Sequence, residues 1–141
     1  MQTLNLGGWV FYLSGKEDLL DQHKSGKWMY FFGDREFVED ICRKAIEDGI
    51  VYECKHSDAD EGVACFYLNG DDTENHKRVI RFFLDNDLIR RTKTGKLYNI
   101  GFKYDDQTRA GEYGGEFTAE IKLDQFINLY TGEWIIEMST V

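Results

Sequence analysis

The chain contains no proline, so none of its bends can be set by a locked φ. Its fourteen glycines must supply the tight turns. Cysteine is scarce: Cys42, Cys54 and Cys65 are widely spaced, form no CxxC pair and each fall inside an apolar stretch. That pattern excludes a disulfide framework and reads as buried free thiols. No run approaches the roughly 18 apolar residues of a membrane span, and Met1 to Leu6 lack a basic segment followed by an apolar core. No membrane partner is expected, and a cytoplasmic location is. The three histidines are scattered, without HExxH or carboxylate-cluster spacing, so no metal is expected. GxGxxG, GxxxxGK[ST] and GxSxG are also missing. The common dinucleotide, triphosphate and serine-hydrolase chemistries lose their usual support, and no cofactor is implied.

Basic residues are outnumbered, 17 against 26 acidic, for a net charge of −9. Long nucleic acid is therefore a poor partner. The distribution is uneven, however. Residues 76–103 carry Lys77, Arg78, Arg81, Arg90, Arg91, Lys93, Lys96 and Lys103 against only Asp85 and Asp87. The apolar supply is ample: 42 % of the 141 residues are hydrophobic, including ten Phe, eight Tyr and three Trp. One domain spanning residues 1–141 is the expectation, large enough to bury roughly two-thirds of its unfolded surface.

Trp9 to Leu13 and Gly26 to Phe32 are aromatic runs between glycines and read as strands, with a polar helical turn or loop at residues 16–24 between them. Asp34 is a plausible N-cap for a helix in which Phe37, Val38, Ile41, Cys42, Ala45 and Ile46 recur at helical spacing until Gly49. Ile50 to Lys55 and Gly62 to Leu68 read as two strands across the polar turn 56–61. A hairpin is the natural connection, with parallel neighbours left open. A second helix starts after Asn69-Gly70-Asp71-Asp72, with Val79, Ile80, Phe83 and Leu84 inward. Lys77, Arg78 and Arg81 are expected on its exposed face, and His76 with His23 at the surface. Leu88-Ile89 and Leu97 to Tyr104 flank the turn Lys93 to Lys96 as another hairpin. Phe117 to Leu123 alternates like a half-exposed strand. A short helix at 124–130 and a segment at 133–138 close the chain, and Arg109 to Gly115 reads as a glycine-rich loop. The expected fold class is α+β, one curved and mostly antiparallel sheet with two main helices packed on one face.

Taken together, Gly26-Lys27-Trp28-Met29, the helix after it, Cys54-Lys55-His56-Ser57, Val63 to Leu68, and the run Lys103 to Tyr113 carry a resemblance. In order and spacing, over roughly residues 25 to 115, the chain resembles a family of small proteins with the fold of the messenger-RNA cap-binding initiation factor, the family that includes the basophilic leukaemia-expressed protein. Relatives of this kind are sometimes labelled phosphothreonine lyase domains, which implies elimination chemistry on a phosphorylated side chain. The matching positions are Lys27, Trp28, Lys55, Lys103, Thr108 and Tyr113. The chain departs from the cap-binding factor in lacking its pair of suitably placed tryptophans. Only Trp28 is well placed, with Trp9 and Trp134 near the ends.

Phosphate recognition requires cationic donors that converge. Lys55 and Lys103, each at a strand end, can project to one rim of a sheet, joined by Thr108, Arg109 and the glycine loop. The candidate ligand site is therefore Lys27, Trp28, Lys55, Lys103, Thr108, Arg109 and Tyr113, with Trp28 or a tyrosine stacking on a base. This describes a non-catalytic binding module for a small phosphorylated ligand or nucleotide, such as a protein that sequesters a signalling nucleotide. Two alternatives stand beside it. An acidic inhibitor of the phage type would dock a basic protein partner through Asp58, Asp60, Glu61, Asp71, Asp72 and Glu74, imitating nucleic acid. A lyase would use Lys55 or Lys103 as base and His56 as acid. Against the lyase, neighbouring residues in a regular strand point to opposite faces.

Overall fold

The computed structural model describes residues 1–106 and 119–135. Its elements run β1 (Gln2–Leu6), β2 (Trp9–Leu13), β3 (Ser25–Phe32), α1 (Arg35–Glu47), β4 (Glu53–Ser57), β5 (Gly62–Asn69), α2 (Thr73–Asp85), β6 (Gly101–Tyr104) and β7 (Ile121–Lys122), with single 3-10 turns at Glu17–Leu19 and Leu123–Gln125. The strands form one open sheet in the order β1-β2-β4-β5-β3-β6-β7. Every described pairing between strands is antiparallel. The α+β class expected from the sequence is the observed one.

Glycine makes the first turn. Gly7 and Gly8 take φ of 61° and 85°, the left-handed pair that lets a two-residue hairpin match strand twist. Asp34 caps α1 by accepting from the Phe37 N–H at 3.2 Å, and Gly49 follows its end at φ 68°. Asp72 caps α2 in the same way through Asn75. Each helix then buries one stripe: Val38, Ile41, Cys42, Ala45 and Ile46 from α1, and Val79, Ile80, Phe82 and Phe83 from α2. Such side chains stabilise the fold by about 1.5–3 kcal/mol each when fully buried.

Register shows that both stripes meet the same face of the sheet. Tyr12, Cys54, Phe66 and Trp28 are successive cross-strand partners and so point the same way. The Cys54 thiol donates to the Cys42 carbonyl of α1 at 3.4 Å. Phe66 packs against Phe82 and Phe83 of α2, with ring centroids 6.3 and 5.2 Å apart. Trp28 donates its indole N–H to His76 Nδ1 of α2 at 3.0 Å. One contiguous core results, and all three cysteines are buried and free.

The structure departs from the sequence reading in several places. β1 was not expected; all five of its residues are exposed, so no buried periodicity marks it. His76 is 2 % exposed and Lys77 is 3 % exposed. His76 belongs to the inward stripe three and four residues ahead of Val79 and Ile80, and Lys77 has its Nζ 3.3 Å from Glu74 Oε1. The basic face of α2 is thus smaller than expected. The hairpin over 88–104 keeps its turn, with Tyr98 N–H donating to the Arg90 carbonyl, but regular strand begins only at Gly101. The helix expected at 124–130 is the 3-10 turn Leu123–Gln125 followed by an isolated bridge between Ile127 and Trp134. The strand expected over 117–123 is described only at Ile121–Lys122. The glycine loop 109–115 lies outside the described residues, as do residues 136–138 of the segment at 133–138.

Candidate functional site

The face of the sheet turned away from α1 and α2 has the opposite parity, and three of the expected site residues share it. Leu13, Glu53, Tyr67, Lys27 and Lys103 form one cross-strand row over β2, β4, β5, β3 and β6. Phe11, Lys55, Cys65 and Met29 form the next. Lys27 and Lys103 are direct partners. The ammonium groups of Lys27 and Lys55 each lie 5.9 Å from the centre of the Tyr67 ring. Three strands that are distant in sequence therefore bring three cations to one patch.

The lysines are held differently. Lys27 is buried, and its Nζ lies 3.2 Å from Asp105 Oδ1, while the Ser25 hydroxyl donates to the other oxygen of that carboxylate at 2.7 Å. Lys103 is buried beside it. Lys55 is half-buried, with Nζ 3.9 Å from the centre of the Trp9 ring and 5.5 Å from that of Phe11. It makes no ion pair among the described residues. Burial, with Lys27 nearby, holds its ammonium below the usual lysine range, although the acidic side chains of Glu53 and Asp105 pull the other way. Burial pushes the Glu53 carboxyl and the Tyr67 hydroxyl up. It also pushes up the Cys65 thiol, more than the two lysines lower it. Cys65 is thus a poor nucleophile despite its cationic neighbours.

A cavity adjoins this patch instead of covering it. A pocket of about 320 Å³ is lined by Met29, Tyr30 and Phe31 of β3, Leu88, Arg90, and Tyr98 with Ile100 and Gly101. Its volume falls at the lower end of small-ligand sites. Phe31 and Tyr98 expose 57 % and 50 % of their surface there, and Arg90 reaches the Phe31 carbonyl at 3.5 Å. None of these is among the site residues expected from the sequence, although Arg90 belongs to its basic stretch and Met29 to its Gly26-Lys27-Trp28-Met29 motif. Their signal was the aromatic run of β3, which alternates between two faces and so cannot be core on both.

Two expected roles do not fit the geometry. Trp28 is fully buried on the helix side, between Lys27 and Met29 that face the other way, and its indole N–H is taken by His76. No ligand on the lysine face can stack on it. Trp9 is the tryptophan on that face. His56 is likewise fully buried on the helix side, where its Nε2 meets the Tyr12 hydroxyl at 3.0 Å. It cannot act as an acid beside Lys55. Thr108, Arg109 and Tyr113 lie outside the described residues.

Among the described residues no group of three or more His, Cys, Asp or Glu side chains could hold a metal ion, and no helix is long and apolar enough to cross a membrane. The acidic residues offered for an inhibitor surface are partly committed to local structure. Asp58 pairs with Arg35 at 2.7 Å, Asp71 with Lys24 at 3.1 Å, and Asp72 caps α2. No family model matches the chain, and no match to a curated protein was found.

Proposed function

We propose that the chain is a non-catalytic binding module for a small phosphorylated ligand, a nucleotide in size and charge, seated on the helix-free face of the sheet. The observation that carries this is the Lys55 ammonium, without an ion pair among the described residues and held on an aromatic wall, in the same patch as Lys27 and Lys103. An ammonium that no carboxylate already holds is poised for an anion. The aromatic pocket next to it suits the uncharged end of the same ligand. Met29, which lines that pocket, is two residues along β3 from Lys27, a step of about 7 Å. One nucleotide can therefore set its phosphate on the lysines and its base between Phe31 and Tyr98. Stacking of this kind contributes about 1–3 kcal/mol per base. The surrounding negative charge of the protein favours a compact anion over a long polyanion.

Isothermal titration with nucleoside monophosphates, cyclic nucleotides and inorganic phosphate at low ionic strength tests this. A nucleotide should bind more tightly than phosphate alone, and Lys55→Met should weaken it by roughly tenfold, the equivalent of one charge-assisted contact of about 1.4 kcal/mol. Absence of any binding heat at millimolar ligand would overturn the proposal.

A further inference from the structure

We propose that Lys55 is a carbonyl-reactive lysine, whose Nζ condenses with the aldehyde or ketone group of a small ligand to form an imine. The inference concerns the same face as the phosphate reading but does not rest on it.

Three observations support it. First, the environment is that of a desolvated amine. Nζ has the Trp9 ring at 3.9 Å, with the rings of Phe11 and Tyr67 at 5.5 and 5.9 Å. Burial there favours the neutral amine, although the ring faces themselves attract the ammonium. Second, no carboxylate locks the charge in place, because Lys55 makes no ion pair among the described residues. Lys27, by contrast, is held by Asp105 at 3.2 Å. Third, a second ammonium lies across the same tyrosine, since Lys27 Nζ is also 5.9 Å from the Tyr67 ring centre. Desolvation beside another cation is the arrangement that activates lysine as a nucleophile. The titratable groups facing Lys55 are Glu53 on its own strand, Cys65 and Tyr67 on β5, Lys27 on β3 and Asp105 after β6. Together they leave its ammonium weaker than an exposed one.

The chemistry balances without a further reactant. The nitrogen lone pair attacks the carbonyl carbon to form the C–N bond, and the carbonyl oxygen leaves as water with the two amine hydrogens. An imine with the same number of electrons remains.

Trapping tests the idea. The protein is incubated at neutral pH with substoichiometric pyridoxal 5′-phosphate, or in parallel with pyridoxal, then reduced with borohydride and mapped by peptide mass spectrometry. The chain has ten lysines. Most of the reduced adduct should sit on Lys55, several-fold above exposed lysines such as Lys16 and Lys93, and Lys55→Arg should lose that fraction. The mapping is done on the natural chain, so it stands even if the variant folds poorly. Adduct spread evenly over the exposed lysines, or total incorporation unchanged in Lys55→Arg, would overturn the inference. The two aldehydes separate it from the phosphate reading: equal and selective labelling by both supports the imine while counting against a phosphate site. Tight binding of the phosphorylated aldehyde with no adduct at Lys55 overturns the imine alone.

Discussion

His76 offers the sharpest quantitative test, because its two ring nitrogens are both committed inside the core. Nε2 lies 2.9 Å from the Gly70 carbonyl, which can only accept, so Nε2 carries the proton. Nδ1 must then accept from the Trp28 indole N–H at 3.0 Å. Protonation would aim a second N–H at that indole donor, within a shell formed by the rings of Trp28, Phe102 and Phe126. Burial accordingly lowers the imidazole pKa from its ordinary 6.5, although the Gly70 carbonyl, Asp72 and Asp71 oppose the shift. The sign follows directly. Below the ordinary value the unfolded chain takes up a proton that the folded chain refuses, so stability is full above that value and falls as the pH drops below it. The slope is at most about 1.4 kcal/mol per pH unit. In His76→Gln the amide can accept from Trp28 and donate to Gly70 without titrating. Urea denaturation of both proteins at about pH 7.5 and about pH 5.5 isolates the effect, because every other titrating group is common to the two. The natural protein should lose up to about 1.4 kcal/mol more than the variant over that interval. Equal losses would refute the assignment of a buried neutral imidazole.

Trp28→Phe should cost about 2–4 kcal/mol in the same assay, since it leaves a cavity and strips His76 Nδ1 of its donor. Trp9→Phe, on a half-buried face, should cost less than about 1 kcal/mol; similar costs for the two would contradict their placement on opposite faces. Gly26→Ala sets a Cβ 2.5 Å from the Lys103 carbonyl and 2.6 Å from the Phe102 ring, so β3 and β6 must part, and a loss of about 1–3 kcal/mol is expected by thermal melting. Asp105→Asn removes the carboxylate that competes for Lys27. It should tighten phosphate or nucleotide binding by roughly three- to tenfold in calorimetry, and weaker binding would mean that Asp105 orients the lysine instead of occupying it.

Much of the fold was legible because its signals are local. Asp34 and Asp72 announce helix starts, Gly49 a helix end, and the stripe from Val38 to Ile46 a buried face. Lys55 and Lys103 are expected from the strand reading at one rim of the sheet, and the register brings both, together with Lys27, to one face. What escaped depends on parity and on partners. Lys27 and Trp28 are adjacent, so one of them had to leave the site, and a sequence does not say which face the helices will cover. His76 was misread from its basic neighbours, although its spacing to Val79, Ile80 and Phe83 already placed it inward. β1 carried no signal, because an exposed strand is specified by the ladder it joins and not by its own side chains.

That exposed strand has a consequence for how the lysine patch is bounded. β1 is held by its ladder to β2 alone, with every residue open to solvent, so its amides should open and reclose far more readily than those of the central β5. Trp9 and Phe11 sit on β2, next to this fraying ribbon, whereas Tyr67 and Lys27 sit on the two most heavily flanked strands. The Trp9 and Phe11 wall of the cage around Lys55 therefore lies one strand in from the open edge of the sheet, and its Tyr67 and Lys27 floor lies on strands deeper inside it.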